Sequence, residues 1–215
     1  MTQIEGTETR TILALDAMGV IYAVGDDTGK LLTPFIAEHG GSSDPVAIEA
    51  HYVAASLGEI PAEAFWQRVG LSPSLEDEYL ALHTLTPGLE PFLEHVQQRV
   101  AGICCLSNDV PAWSLKLRER FGLDRWITPW VISGDVGIRK PAPGIYDALF
   151  ASLAVEPRHI VFVDDRTGNL DAAAAAGIRT VLFDPEAATR NFRHGIAREF
   201  EGIMDLLLLG GFISV

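Results

Sequence analysis

TILALDAMGV, residues Thr11 to Val20, sets an apolar run against one aspartate and a nearby glycine, Gly19. The run up to Leu15 reads as a short buried strand, and Asp16 stands where that strand gives way to a turn. Four further runs share this character: GICCLS ending at Ser107, WVIS ending at Ser133, HIVFVD ending at Asp164, and RTVLF ending at Phe183. From the second run onward, helix-like segments separate them: VPAWSLKLRERFG from Val110, PAPGIYDALFASLA from Pro141, and LDAAAAAG from Leu170. Apolar strands alternating with helices predict an α/β fold whose parallel sheet is covered on both faces.

The stretch between the first two strands breaks this rhythm. It offers helical segments near Asp44 to Leu57, Pro61 to Val69 and Ser74 to His83, with glycine and proline punctuation at Gly40, Gly41, Pro61 and Pro73. No strand is expected there. The chain therefore divides into an α/β core of residues 1–24 and 86–215 and a small helical cap, residues 25–85, inserted after the first strand. Ligands of open α/β sheets bind at the carboxyl ends of strands. Asp16, Ser107 with Asn108, and Asp164 with Asp165 would then meet in one crevice beneath the cap. The C-terminal EFEGIMDLLLLGGF is expected to be a helix packed on the core, with a homodimer contact as the alternative.

Bulk properties narrow the function. An apolar fraction of 48% with 21% charged residues fits a globular chain able to bury a core. The net charge of −13, from 29 acidic and 16 basic residues, argues against nucleic acid or anionic lipid as a partner. It leaves a phosphorylated metabolite open, because a bound cation can reverse the local field. Cys104 and Cys105 are adjacent on a strand, point to opposite faces, and read as small buried hydrophobes. The opening MTQIEGTETR lacks a signal pattern and no stretch is long enough to span a bilayer, so a cytoplasmic protein is expected.

Each strand-end residue has a plain reading and a chemical one. Asp16 can cap a turn, or it can attack phosphorus and form an aspartyl-phosphate, with Gly19 permitting close backbone approach. Ser107 and Asn108 can cap the following helix or hold phosphoryl oxygens. Lys140, in VGIRKPAPGIY, can be a solvated charge or can neutralise both nucleophile and phosphoryl group. Asp164 and Asp165, in VFVDDRTGN with Asn169 close behind, repel each other unless a cation intervenes. Hard oxygen ligands in small number suit Mg²⁺.

Read in order, LDAMGV, LSND, RKP and VDDRTGN resemble the four motifs of the haloacid dehalogenase-like hydrolases. The resemblance implies a Rossmann-like doubly wound parallel sheet with a helical cap. It implies Asp16 as nucleophile, Ser107 and Lys140 as phosphate-binding groups, and Asp165 as a magnesium ligand. Asp164 and Asn169 would complete or orient the metal site, and the Met18 carbonyl would be a further ligand. The phrasing looks most like the branch of small sugar-phosphate phosphatases and epoxide-hydrolase phosphatase domains.

One position departs from that pattern. The family's phosphatases usually carry a second aspartate two residues after the nucleophile, as general acid and base; this chain has Met18. Val20 replaces the commoner threonine. The leading expectation is a magnesium-dependent hydrolase of small phosphate monoesters. Alternatives are a 2-haloacid dehalogenase, which needs no general acid, and a weakened protein that binds a phosphorylated ligand without turnover. Selectivity is expected from the cap, with His51, Tyr52, Trp66, Arg68 and His83 as candidates to face the cleft.

Overall fold

The computed structural model describes residues 11–188 and 193–213. The opening decapeptide, read above for a targeting signal, and the outermost ends of the core assignment lie outside the described residues.

Six parallel strands form one sheet in the order β3-β2-β1-β4-β5-β6. They are β1 (Ile12–Leu15), β2 (Gly102–Ser107), β3 (Trp130–Ile132), β4 (Ile160–Asp164), β5 (Arg179–Phe183) and β6 (Gly195–Ala197). Five match the expected runs to within a residue or so at their carboxyl ends. The sixth was not expected, because Gly-Ile-Ala has neither the length nor the apolar density of a buried strand.

Ten α-helices accompany the sheet among the described residues. The segment between β1 and β2 holds α1 (Thr33–Glu38), α2 (Pro45–Ser56), α3 (Ala62–Arg68), α4 (Glu76–Leu80) and α5 (Leu89–Val96). The later ones are α6 (Pro111–Arg120), α7 (Ser133–Val136), α8 (Pro143–Leu153), α9 (Thr167–Ala175) and α10 (Phe200–Leu209). α2 starts where its sequence says it must: the Asp44 carboxylate accepts from Val46 N at 2.9 Å and Pro45 fills the first turn. The expected helix from Ser74 to His83 is broken, a 3₁₀ turn at Pro73–Leu75 running into the short α4.

Alternation along the strands sorts the core into two layers. Leu13, Leu15 and Cys105 face one layer with α5, α6 and α10, while Ala14 and Cys104 face the other with α8 and α9. Both cysteines are fully buried, and burial pushes the Cys104 thiol up to about 12, as expected of packing residues. Phe200, Ile203 and Leu207 of α10 are buried in the first layer, although Leu209 at its end is exposed. Among the described residues no helix is long and apolar enough to cross a membrane.

The helices between β1 and α5 share their apolar layer with the sheet. Trp66 and Tyr79 meet Trp113 of α6 with ring centroids 5.6 and 5.2 Å apart. Glu76 Oε2 accepts from both indoles, Trp66 Nε1 at 3.0 Å and Trp113 Nε1 at 2.8 Å. The buried indole donors are thereby satisfied across the junction. This holds the helical segment over the carboxyl edge of the sheet.

Candidate active site

Register places the chemistry. Leu15 pairs with Cys105 on one side and Val163 on the other, so Asp16 emerges beside the ends of β2 and β4. The sheet order runs outward in opposite senses on either side of β1, which makes this edge the switch point where α/β ligands bind. A cavity of about 390 Å³, lined among others by Asp16, Met18, Ser107, Asn108, Lys140 and Asn169, opens there. That volume suits a small metabolite.

Lys140 is the hub. Its Nζ lies 2.7 Å from Asp16 Oδ1 and 2.8 Å from Asp164 Oδ2, and it donates to the Leu106 carbonyl at 2.8 Å. Burial works against this ammonium, but the two carboxylates outweigh it and push its pKa up, so it stays charged. Asn108 fixes the hub rather than offering a free amide: Lys140 N donates to its Oδ1 at 2.7 Å and its Nδ2 donates to the Lys140 carbonyl at 2.9 Å. Asn108 still borders the cavity, but its side chain is occupied in placing Lys140.

Asp16 is almost wholly buried and its Oδ1 also accepts from Ala17 N at 2.7 Å. Burial, then the Asp164 charge, push this carboxyl well above the usual carboxylate range, against the pull of Lys140. Asp164 is fully enclosed. Its Oδ1 accepts from Arg166 N at 2.7 Å and Asn169 Nδ2 at 3.1 Å, and its Oδ2 from Asn169 Nδ2 at 3.0 Å as well as from Lys140. Asn169 therefore orients Asp164.

Asp165 differs from its neighbour. Its Oδ1 is buried without a hydrogen-bond partner, and burial followed by the Asp164 charge pushes the carboxyl up to about 6. Gly19, at φ +81°, and Gly25 cradle it so closely that a Cβ on either would strike the carboxylate. Oxygens of Asp16, Asp164 and Asp165 can all come within 4.8 Å of one another. Asp16 and Asp164 share Lys140, while Asp165 Oδ1 has, among the described residues, only the exposed Arg166 Nε at 3.9 Å, so a divalent cation would cancel the surplus charge and that oxygen is a hard ligand in the right place. The Ser107 hydroxyl is fully buried at the cavity and also lacks a partner.

Apart from Tyr52, the helical segment supplies cavity residues other than those expected. Tyr52 borders the cavity. Trp66 belongs to the aromatic core, Arg68 is exposed, His51 does not border the cavity, and His83 is buried with its Nε2 3.0 Å from Asp27 Oδ1. Asp27 also accepts from Tyr79 Oη at 2.5 Å. Sequence reasoning missed Asp27, Glu49 and Arg139, which do line the cavity. GDDTG after the first strand was the only signal for Asp27, while Glu49 and Arg139 look like ordinary surface charges.

Asp109 adds a pH-dependent element beneath the site. It is buried, its Oδ1 accepts from Val110 N at 2.7 Å, and its Oδ2 has no partner. Burial pushes its pKa from 3.8 to about 7. A folded-state value above the unfolded one means stability present at low pH is lost as pH rises through about 7. Unfolding free energy is expected to fall by roughly 2 kcal/mol from this group between about pH 5 and 8. Urea melts at fixed magnesium should show a flatter slope for Asp109→Asn; an unchanged slope would remove Asp109 as its source.

Comparison with known proteins agrees with this frame. Residues 12–177 match the family model described as haloacid dehalogenase-like hydrolase. Ribulose-1,5-bisphosphate 5-phosphatase of Halopiger xanaduensis is 29% identical over 142 residues, 65% of this chain and 55% of that protein. The chain thus spans little more than half the length of that relative. A haloacid dehalogenase-type phosphatase from Thermococcus onnurineus superposes with a TM-score of 0.71 at 19% identity, over 92% of this chain and 97% of the other. L-2-haloacid dehalogenase from Xanthobacter autotrophicus superposes with a TM-score of 0.67 at 14% identity, over 92% of this chain and 98% of the other. At these identities the two structures speak for the fold alone. The match to the family model covers most of the chain, from β1 to the end of α9, and includes Asp16, Ser107, Lys140 and the Asp164–Asp165 pair: the chain belongs to the haloacid dehalogenase-like hydrolase family.

Proposed function

We propose that the protein hydrolyses small phosphate monoesters through an aspartyl-phosphate at Asp16. One observation carries this reading: Asp16, Asp164 and Asp165 cluster with only one buried cation among the described residues, Lys140 on Asp16 and Asp164, which leaves negative charge for a divalent cation to balance. Attack on carbon needs no such cation. The name of the Halopiger relative supports phosphate chemistry, and so do those of further relatives called phosphatases.

Asp16 and Asp165 would hold magnesium, with Asp164 beside them and the Met18 carbonyl as a further candidate. When bound, the ion would draw charge off the phosphoryl oxygens and favour the charged form of the Asp16 carboxylate. An Asp16 oxygen attacks phosphorus, the bond from phosphorus to the leaving oxygen breaks, and that oxygen takes up a proton from water. Water then attacks phosphorus, the bond to Asp16 breaks, and inorganic phosphate leaves. Lys140 offsets charge on nucleophile and phosphoryl group, and the Ser107 hydroxyl donates to a phosphoryl oxygen. The helical segment, residues 25–85, acts as the cap that excludes bulk water. Phosphate release from an aryl phosphate should stop on chelation and return with magnesium; full activity in a metal-free sample would defeat the reading.

Met18 favours a second reading, attack on the carbon of a 2-haloacid. Its half-buried thioether borders the cavity and cannot transfer a proton. The variant Met18→Asp separates the two. Under the phosphatase reading it gains a proton donor, and hydrolysis of esters with poor leaving groups is expected to rise by about 10²- to 10⁴-fold. Aryl phosphates, whose departing oxygen needs little protonation, should gain less. A uniform fall across all esters would show a site shaped around an apolar side chain.

A further inference from the structure

Arg139 immediately precedes Lys140 and lines the same cavity, yet its guanidinium is engaged very differently. It donates to Ser56 Oγ on α2 and lies over the Tyr52 ring, 5.4 Å from the centroid. Both supports are themselves fixed. Ser56 Oγ donates to the Val53 carbonyl at 3.0 Å, and Tyr52 Oη donates to the Asn108 carbonyl at 3.2 Å. A guanidinium carries five donors and a permanent charge. These contacts use one donor and one ring face.

Among the described residues no carboxylate forms an ion pair with Arg139. Lys140 is already committed to Asp16 and Asp164. Of the acidic groups that share the cavity wall, Asp26 and Glu49 are exposed, so water screens them. Asp27 is buried against Tyr79 and His83. Asp109 acts on Arg139 only beyond ion-pair distance. A half-buried cation without a counter-ion is costly, and its planar fork matches a carboxylate or phosphate.

We propose that Arg139 binds a second anionic group of the substrate, a carboxylate or further phosphate on the part that leaves as the alcohol. This rests on the reading of the site as a phosphatase. The phosphoryl group would lie at Asp16, Ser107 and Lys140, and the second anion toward α2. The subsite would then select phosphorylated acids and bisphosphates over neutral polyol phosphates.

The test compares matched esters, phosphoglycerate against glycerol phosphate and fructose bisphosphate against fructose monophosphate. Each pair is assayed for kcat/KM with the wild type, Arg139→Gln and Arg139→Lys. Binding of each pair is also measured by calorimetry in an Asp16→Asn background with and without Arg139→Gln. The wild type is expected to prefer the more anionic member by about 10- to 100-fold, the factor of one hydrogen bond to a charged group. Arg139→Gln should erase most of that ratio and Arg139→Lys should keep part of it. A wild-type ratio near unity, or a ratio that survives Arg139→Gln, overturns the proposal, and the first of these needs no variant. If esters are hydrolysed without preference, the phosphatase reading stands and the subsite falls. If none is hydrolysed but anionic members bind more tightly through Arg139, the subsite stands and the phosphatase reading falls. If nothing binds or reacts, both fall.

Discussion

Asp16→Asn is expected to lower turnover on the order of 10⁴-fold or more, as loss of a covalent nucleophile does, while the melting temperature stays level or rises. The amide keeps an oxygen where Oδ1 stands, so the contacts from Lys140 Nζ and Ala17 N, both at 2.7 Å, can persist. What disappears is one of three crowded negative charges. Asp164, which keeps Lys140, and Asp165 beside it then face less repulsion, which is expected to stabilise the fold. Steady-state kinetics and a thermal melt on one preparation, with mass spectrometry to exclude deamidation, check both halves. Activity close to wild type would remove Asp16 from its role. A large fall in melting temperature would mean that Asp16 is structural.

Lys140→Met is expected to have the largest effect on stability. Its ammonium is the only cation in contact with Asp16 and Asp164 among the described residues, and both carboxylates are buried. Removing one partner of a buried ion pair costs about 3–5 kcal/mol. The cost should depend on pH in a defined sense. Without the lysine, the folded-state pKa of Asp16, already raised by burial, moves further above its unfolded value, so stability is lost as pH rises and recovers in acid. Magnesium should restore part of the loss at neutral pH, because it supplies the missing positive charge, while turnover stays abolished. Denaturant melts across pH, with and without magnesium, measure this. A variant as stable as wild type at neutral pH without metal would contradict the electrostatic account of the site.

How much of this was legible in the sequence follows from what each residue does locally. Strand ends at Asp16, Ser107 and Asp164 were readable because a buried parallel strand must be an unbroken apolar run, and the first polar residue after it marks the carboxyl edge. β6 escaped because Gly195, Ile196 and Ala197 make no such run; the strand exists through pairing with β5. LEPFLEHV of α5 buries Leu89, Phe92, Leu93 and Val96, a helical spacing that was present but lay unassigned between two motifs. Asp16, Lys140 and the Asp164–Asp165 pair could be named because their motifs are contiguous. Arg139 and Asp27 could not, since their environments come from α2 and from His83 and Tyr79, far away in the chain. Trp66 and His83 failed as cleft residues for a related reason: a large ring inside a small helical layer fills the core first.

The central claim is that Asp16 itself carries the phosphoryl group. Met18 makes this measurable, because the residue that would activate water for the second step is absent and the acyl-phosphate should accumulate. Mixing enzyme, magnesium and an aryl phosphate on the millisecond scale, then quenching in acid, captures the intermediate for peptide mass spectrometry. The account predicts a burst of aryl alcohol close to one per site and phosphoryl mass on the peptide containing Asp16. An alkyl ester on that same peptide from a 2-haloacid in metal-free enzyme, with no phosphoryl adduct from the phosphate ester, would contradict it.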